Sequence, residues 1–143
     1  MQIKEMMTKQ VLTINAEMSL KDAGKLFREN RISGLPVVDD DANIIGIFTI
    51  TDMMRILGQI YELKESEKKH PDIRLSEMYD NEKSKAKVGN MMTKDVYVLN
   101  ENDSIEEVMR LMFYNKVHTI PITNQNGKLV GIIGRRDLVY ACF

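Results

Sequence analysis

A threonine and an aspartate three residues apart, Thr49 and Asp52, follow directly on the apolar run Gly46-Ile47-Phe48. The run reads as a buried strand, Ile44 to Phe48, that passes straight into a helix beginning near Thr51. Their junction gathers a hydroxyl, a carboxylate and the free N–H groups of a helix start, where the positive end of the dipole favours a bound anion. A carboxylate placed there can accept from two adjacent sugar hydroxyls. The same corner recurs at Gly131-Ile132-Ile133, closed by Asp137, at a constant offset of 85 residues. Gly134 stands where Thr49 stands in the first copy, so one hydroxyl is missing and equal use of the two corners is not expected. Arg135 and Arg136 occupy the first turn of the second helix, where cations oppose the dipole. An anionic ligand removes that conflict, so one of the pair is a phosphate partner or both are solvated surface. Thr49-Ile-Thr-Asp52 is also a capping box in its own right, which competes with a ligand role for Asp52.

The elements that position these corners are themselves repeated. Residues 6–52 align with 91–137 without a gap, and 13 of the 47 positions are identical, including Met6-Met7-Thr8-Lys9 with Met91-Met92-Thr93-Lys94. An internal repeat decides architecture before any local assignment. Each copy opens with a short apolar stretch, Val11 to Ile14 or Val96 to Leu99, read as a brief strand. Ser19-x-x-Asp22 and Ser104-x-x-Glu107 are capping boxes. Apolar or small residues then recur at Leu20, Ala23, Gly24 and Phe27, and at Ile105, Val108, Met109 and Met112, one face of a helix ending near Asn30 or Asn115. Strands Leu35 to Val38 and Ile120 to Thr123 each carry a proline near the start, and turns lead into Ile44 to Phe48 and Leu129 to Ile133. Closing helices begin near Thr51 and Arg135. Each copy is β-α-β-β-α, and the fold class is α/β (α+β), two tandem repeats related by pseudo-twofold symmetry.

The expected organisation is a first repeat at 1–58, a charged and partly helical linker at 59–90, and a second repeat at 91–143. The linker carries seven cations and seven anions. Its first part extends the preceding helix to about Lys69, Pro71 ends it, and Ile73, Leu75, Met78 and Tyr79 can dock a second short segment. It is read as a solvated connection, with a partner-binding or gating segment as the alternative. A copy of about 50 residues buries too little core alone, so the two share an interface. Apolar residues on the closing helices (Ile50, Met53, Met54 and Ile56; Leu138, Val139, Tyr140 and Phe143) exceed what that interface needs and point to a homodimer.

Composition narrows the function classes. The chain has 143 residues, 43% hydrophobic and 29% charged, with a formal net charge of −1. That charge supplies no drive toward nucleic acid. No stretch approaches the roughly 20 apolar residues of a membrane span, and the first residues lack the apolar core of a signal peptide, so a cytoplasmic protein is expected. Eleven methionines read as flexible core filler. No nucleophile–base–acid set is found, His70 and His118 fall in different regions, Cys142 is alone, and no Cys/His cluster has zinc spacing. Catalysis, a catalytic cofactor and a metal site are not expected.

The repeated Met-Met-Thr start, Arg31-Ile-Ser-Gly-Leu-Pro-Val-Val-Asp39 and Gly46-Ile-Phe-Thr-Ile-Thr-Asp52 resemble the cystathionine-β-synthase (CBS) domain, and two in tandem resemble a Bateman module. The resemblance covers nearly the whole chain outside the linker. It implies two repeats packed through their sheets, with clefts between them that bind an adenosyl compound (AMP, ADP, ATP, NAD or S-adenosylmethionine) and regulate a partner protein. By resemblance, Asp52 and Asp137 hold ribose and Thr49 contacts phosphate. The backbone of Leu12, Thr13, Tyr97 and Val98 lines the adenine slot. Ser33, Gly34, His118, Thr119 and Ile132 lie beside the nucleotide. His118 would donate to phosphate with a pH-dependent charge, or is a partly buried histidine with no ligand role. The alternative function is a ligand-free dimeric scaffold.

Overall fold

The computed structural model describes residues 1–66 and 87–143, with the side chains of residues 60 and 63–66 outside that description. The docking segment expected at Ile73 to Tyr79 and the helix end at Pro71 lie outside the described residues. In the first repeat, α1 (Leu20–Asn30) is followed by the hairpin β1 (Gly34–Val38) and β2 (Ile44–Thr49), and then by α2 (Ile50–Ser66). A short helix, α3 (Val88–Met91), leads into the second repeat: β3 (Leu99–Asn100), α4 (Ile105–Tyr114), β4 (Thr119–Thr123), β5 (Leu129–Gly134) and α5 (Arg135–Cys142). The mixed α/β architecture of two like halves is the one the repeat predicted.

The two hairpins are superimposable in register. Leu35 faces Phe48 and Pro36 faces Ile47 in the first, and Ile120 faces Ile133 and Pro121 faces Ile132 in the second. Each has an irregularity just before its turn, between Val37 and Val38 or between Ile122 and Thr123. The brief opening strands are shorter than expected. Val11 to Ile14 reduces to a single parallel bridge, Ile14 to Val37, and β3 begins only at Leu99, parallel to β4. Only the last residue of each apolar stretch reaches a neighbouring strand.

One of the two helix caps also departs from expectation. Ser19 accepts the N–H of Asp22 at 3.0 Å, as a capping box requires. Ser104 makes no side-chain cap bond. The Glu107 N–H goes to the Ser104 carbonyl at 3.1 Å, and the Glu107 carboxylate turns to Arg110 at 3.5 Å, so neither half of the second box forms.

The two cores exchange their lead-in segments. Ile3, in a single 3-10 turn (Ile3–Glu5), is fully buried among Val108, Met112, Ile120, Ile122, Ile133 and Leu138 of the second repeat. Val88, at the matching position of the second lead-in, is fully buried among Leu20, Phe27, Leu35, Val37 and Phe48 of the first. Backbone pairing follows the same exchange, with Thr8 bridging to Ile132 and Thr93 to Ile47. Burying one such side chain contributes roughly 1.5–3 kcal/mol, which ties each lead-in to the opposite hairpin. Phe27 and Phe48 stack with centroids 5.8 Å apart in the first core.

The crossing explains two conserved features of the repeat. A Cβ on Gly46 would meet Met92 Sδ, and one on Gly131 would meet Met7 Sδ, so each lead-in methionine lies against the opposite strand where glycine leaves room. Gly46/Gly131 and Met7/Met92 are identical between the copies because they are one contact made twice.

Candidate functional site: the cleft at Asp137

The β5–α5 corner forms because Gly134 ends a strand and Asp137, three residues on, turns back to cap the new helix. Asp137 Oδ2 accepts the Gly134 N–H at 2.8 Å, and Oδ1 accepts the Thr8 hydroxyl at 3.0 Å. The corner opens onto a cleft of about 690 Å³ whose walls come from both repeats. One wall is Thr8, Gln10, Val11 and Leu12 of the first lead-in, together with Arg31, Ser33 and Gly34 beyond the end of α1. The other is Thr119, Ile132, Gly134, Arg135, Arg136, Asp137 and Tyr140. A cleft of this size takes a ligand of nucleotide dimensions.

Its charge is uneven. Three guanidinium groups, Arg31, Arg135 and Arg136, and the single carboxylate of Asp137 line it. Arg31 sits at the C-terminal cap of α1 with φ 50°, a left-handed conformation that side chains rarely adopt, and Lys116 repeats it at φ 55°. Ser33 and Thr119 approach across the pseudo-twofold axis, their hydroxyl oxygens 3.5 Å apart. A Cβ on Gly34 would fall 2.7 Å from Thr119 Cγ2, so glycine lets the two repeats close there.

Of the residues singled out in the sequence, Leu12, Ser33, Gly34, Thr119, Ile132, Arg135, Arg136 and Asp137 come together in this cleft. Thr13, Thr49, Asp52, Tyr97, Val98 and His118 do not line it. Tyr97, Val98 and His118 are exposed, with the Tyr97 hydroxyl accepting from Asn115 at 3.0 Å. Asp52 is 4% exposed and wholly engaged by protein. Its Oδ2 accepts the Thr49 N–H at 2.9 Å and the Thr49 hydroxyl at 3.1 Å. Its Oδ1 accepts Arg55 at 3.0 Å and the Thr93 hydroxyl at 2.9 Å. The capping box competing for Asp52 in the sequence is formed: the Asp52 N–H donates to the Thr49 hydroxyl at 3.2 Å.

Thr8, Arg31 and Tyr140 were not identified from sequence. For Thr8 the signal was present: Met6-Met7-Thr8 recurs intact at Met91-Met92-Thr93, yet nothing local shows that the hydroxyl reaches a carboxylate in the other repeat. Arg31 and Tyr140 carry no local mark of their place.

A pair of α-β-β-α repeats, the first opened by a single bridge and the second by a two-residue strand, that exchange lead-ins and enclose a cleft at a strand-to-helix aspartate defines a tandem cleft-forming module. The CBS domain model matches residues 3–59 and 88–143, and the chain belongs to the CBS-domain family. Protein MJ1426 of Methanocaldococcus jannaschii is 30% identical over 99% of this chain and 90% of its own length. Inosine-5'-monophosphate dehydrogenase of the same organism is 32% identical over 94% of this chain, which spans only 22% of that enzyme. Among solved structures, CBSX2 in complex with AMP matches with a TM-score of 0.73 and 26% identity, over 99% of this chain and 95% of that one. The CBS domain pair of MJ0100, in complex with 5'-methylthioadenosine and S-adenosyl-L-methionine, matches with a TM-score of 0.77 over 99% of this chain and 95% of that one. At 20% identity, that is a likeness of fold. Among the described residues no helix is long and apolar enough to cross a membrane, and no cluster of metal-ligating side chains occurs.

Proposed function

We propose that the chain is a regulatory module, not an enzyme, that binds an adenosyl ligand in the Asp137 cleft and signals its presence to a partner protein. The observation that carries this reading is the cleft itself: a space of about 690 Å³ between the repeats, with a carboxylate at a helix start and three arginines around it. Asp137 accepts the ribose hydroxyls, and Arg135 or Arg136, with Arg31, faces phosphate. Leu12, Ser33, Gly34, Thr119 and Ile132 form the walls. The complex of the related CBSX2 with AMP supports the ligand class. Val139 and Tyr140 of α5 and Phe143 just beyond it are exposed, as are Ile50 and Met54 of α2, and these faces support assembly as a homodimer.

The test is a thermal-shift series with AMP, ADP, ATP, NAD and S-adenosylmethionine at millimolar concentration. At least one raises the melting temperature, and Asp137→Ala weakens that shift. No shift with any of the five rejects the reading.

A ligand-free scaffold is favoured by one observation, that Asp137 already accepts from Gly134 and Thr8. Native mass spectrometry of freshly purified protein separates the two: a dimer retaining adenosyl mass supports the sensor, and a bare dimer that stays bare on nucleotide addition supports the scaffold.

A further inference from the structure

We propose that the two pseudo-equivalent corners do different work: each chain takes one ligand, at Asp137, while Thr49 and Arg55 close the corner at Asp52. This rests on the adenosyl-binding reading above. An ionised carboxylate offers about four acceptor positions, two on each oxygen. At Asp52 each oxygen already receives two donors, Thr49 N–H and hydroxyl on Oδ2, Arg55 and the Thr93 hydroxyl on Oδ1. At Asp137 each oxygen receives one donor among the described residues, the Gly134 N–H on Oδ2 and the Thr8 hydroxyl on Oδ1. Among the described residues, one acceptor position therefore stays open on each oxygen, beside the cleft. Two such positions suit the adjacent 2'- and 3'-hydroxyls of a ribose, both of which are donors.

Two substitutions between the copies make the difference. Gly134 stands at the position of Thr49 and has no hydroxyl to fill Oδ2. Tyr140 stands at the position of Arg55. Arg55 donates both to Asp52 Oδ1 and to the Met91 carbonyl at 2.9 Å, so it pins the carboxylate to the second lead-in. Tyr140 instead lines the cleft and is 75% exposed. The glycine that counts against the second corner at the level of sequence is what keeps its carboxylate available.

Isothermal titration of the full chain with AMP, ADP and ATP reads the stoichiometry. The expected result is one nucleotide per chain, bound at least about tenfold more weakly by Asp137→Asn and within about twofold of wild type by Asp52→Asn. The double variant Thr49→Gly/Arg55→Tyr gives the first corner the side chains of the second and is expected to raise the stoichiometry to two. Wild-type protein with Asp137→Asn decides the matter alone should Asp52→Asn not fold. Two nucleotides per chain in wild type, a single site surviving Asp137→Asn, or a double variant that remains at one each overturn the inference while leaving nucleotide binding intact. Absence of binding by all three nucleotides removes the reading and the inference together.

Discussion

The hydroxyl of Thr8 donates to Asp137 Oδ1 at 3.0 Å although the two residues lie 129 positions apart. Thr93 makes the matching bond to Asp52 Oδ1 at 2.9 Å. Each lead-in thus holds the carboxylate of the opposite repeat. The two bonds differ in surroundings, since Asp52 is buried and Asp137 half-buried. Thr8→Val is expected to cost about 0.5–1.5 kcal/mol, the ordinary net worth of a hydrogen bond. Thr93→Val removes a donor from the buried carboxylate and is expected to cost more, about 1–3 kcal/mol. Urea denaturation of both variants checks the order; equal losses would show that burial does not set the difference.

Exchange of the lead-ins makes the first residues part of the second repeat's core. Ile3→Ala is expected to destabilise by about 2–5 kcal/mol, the range for truncating a buried isoleucine. Val88→Ala removes fewer carbons from the first core and is expected to cost less. Hydrogen exchange should then show faster opening of β4 and β5 in Ile3→Ala, and of β1 and β2 in Val88→Ala. Faster exchange of β1 and β2 in the Ile3 variant would contradict the exchanged packing.

The contacts at Gly46 and Gly131 look equivalent but differ in what can yield. A methyl on Gly46 would meet Met92 Sδ and lie 3.0 Å from the Thr93 carbonyl oxygen, a backbone atom held in the Ile47–Thr93 bridge. Around a methyl on Gly131 the three nearest atoms all belong to the Met7 side chain. Methionine is flexible and can move aside. Gly46→Ala is expected to cost about 1–3 kcal/mol and Gly131→Ala distinctly less, both read from thermal or urea melts.

The hairpin turns allow a stabilising change. Ala42 has φ 63°, and the matching Gly127 has φ 75°. A left-handed alanine costs roughly 1–2 kcal/mol, and the greater freedom of glycine in the unfolded chain takes back part of the relief. Ala42→Gly is expected to stabilise by about 0.5–1 kcal/mol, seen as a raised melting temperature.

The same turn sets an acid dependence. Asp39 accepts the Asn43 N–H at 2.9 Å and the Asp41 N–H at 3.0 Å, and the Asn43 bond foremost lowers its carboxyl from the ordinary value. A carboxyl lowered by folding stabilises above its unfolded pKa, and that contribution is lost as pH falls through the folded one. Asp39→Ala is therefore expected to flatten the acid limb of the stability profile and leave its slope near neutrality unchanged, as measured by urea melts from pH 3 to 7.

Sequence alone determined the two-fold repeat, the order of helices and strands within each copy, and the place of both aspartates at strand-to-helix corners. These follow from apolar periodicity and turn chemistry, which act between near neighbours and so leave a local record. The caps already show the limit: Ser19 accepts the Asp22 N–H, the first half of its box, while the box at Ser104 yields to a pairing of Glu107 with Arg110. Only the tertiary structure decided that the lead-ins cross, that Thr8 reaches Asp137, that Arg31 joins Arg136 in one cleft, and that Thr49 and Arg55 fill the acceptors of Asp52. Those relationships join residues brought together by packing, and two copies with the same local pattern end with differently occupied carboxylates because their neighbours, not their spacing, differ.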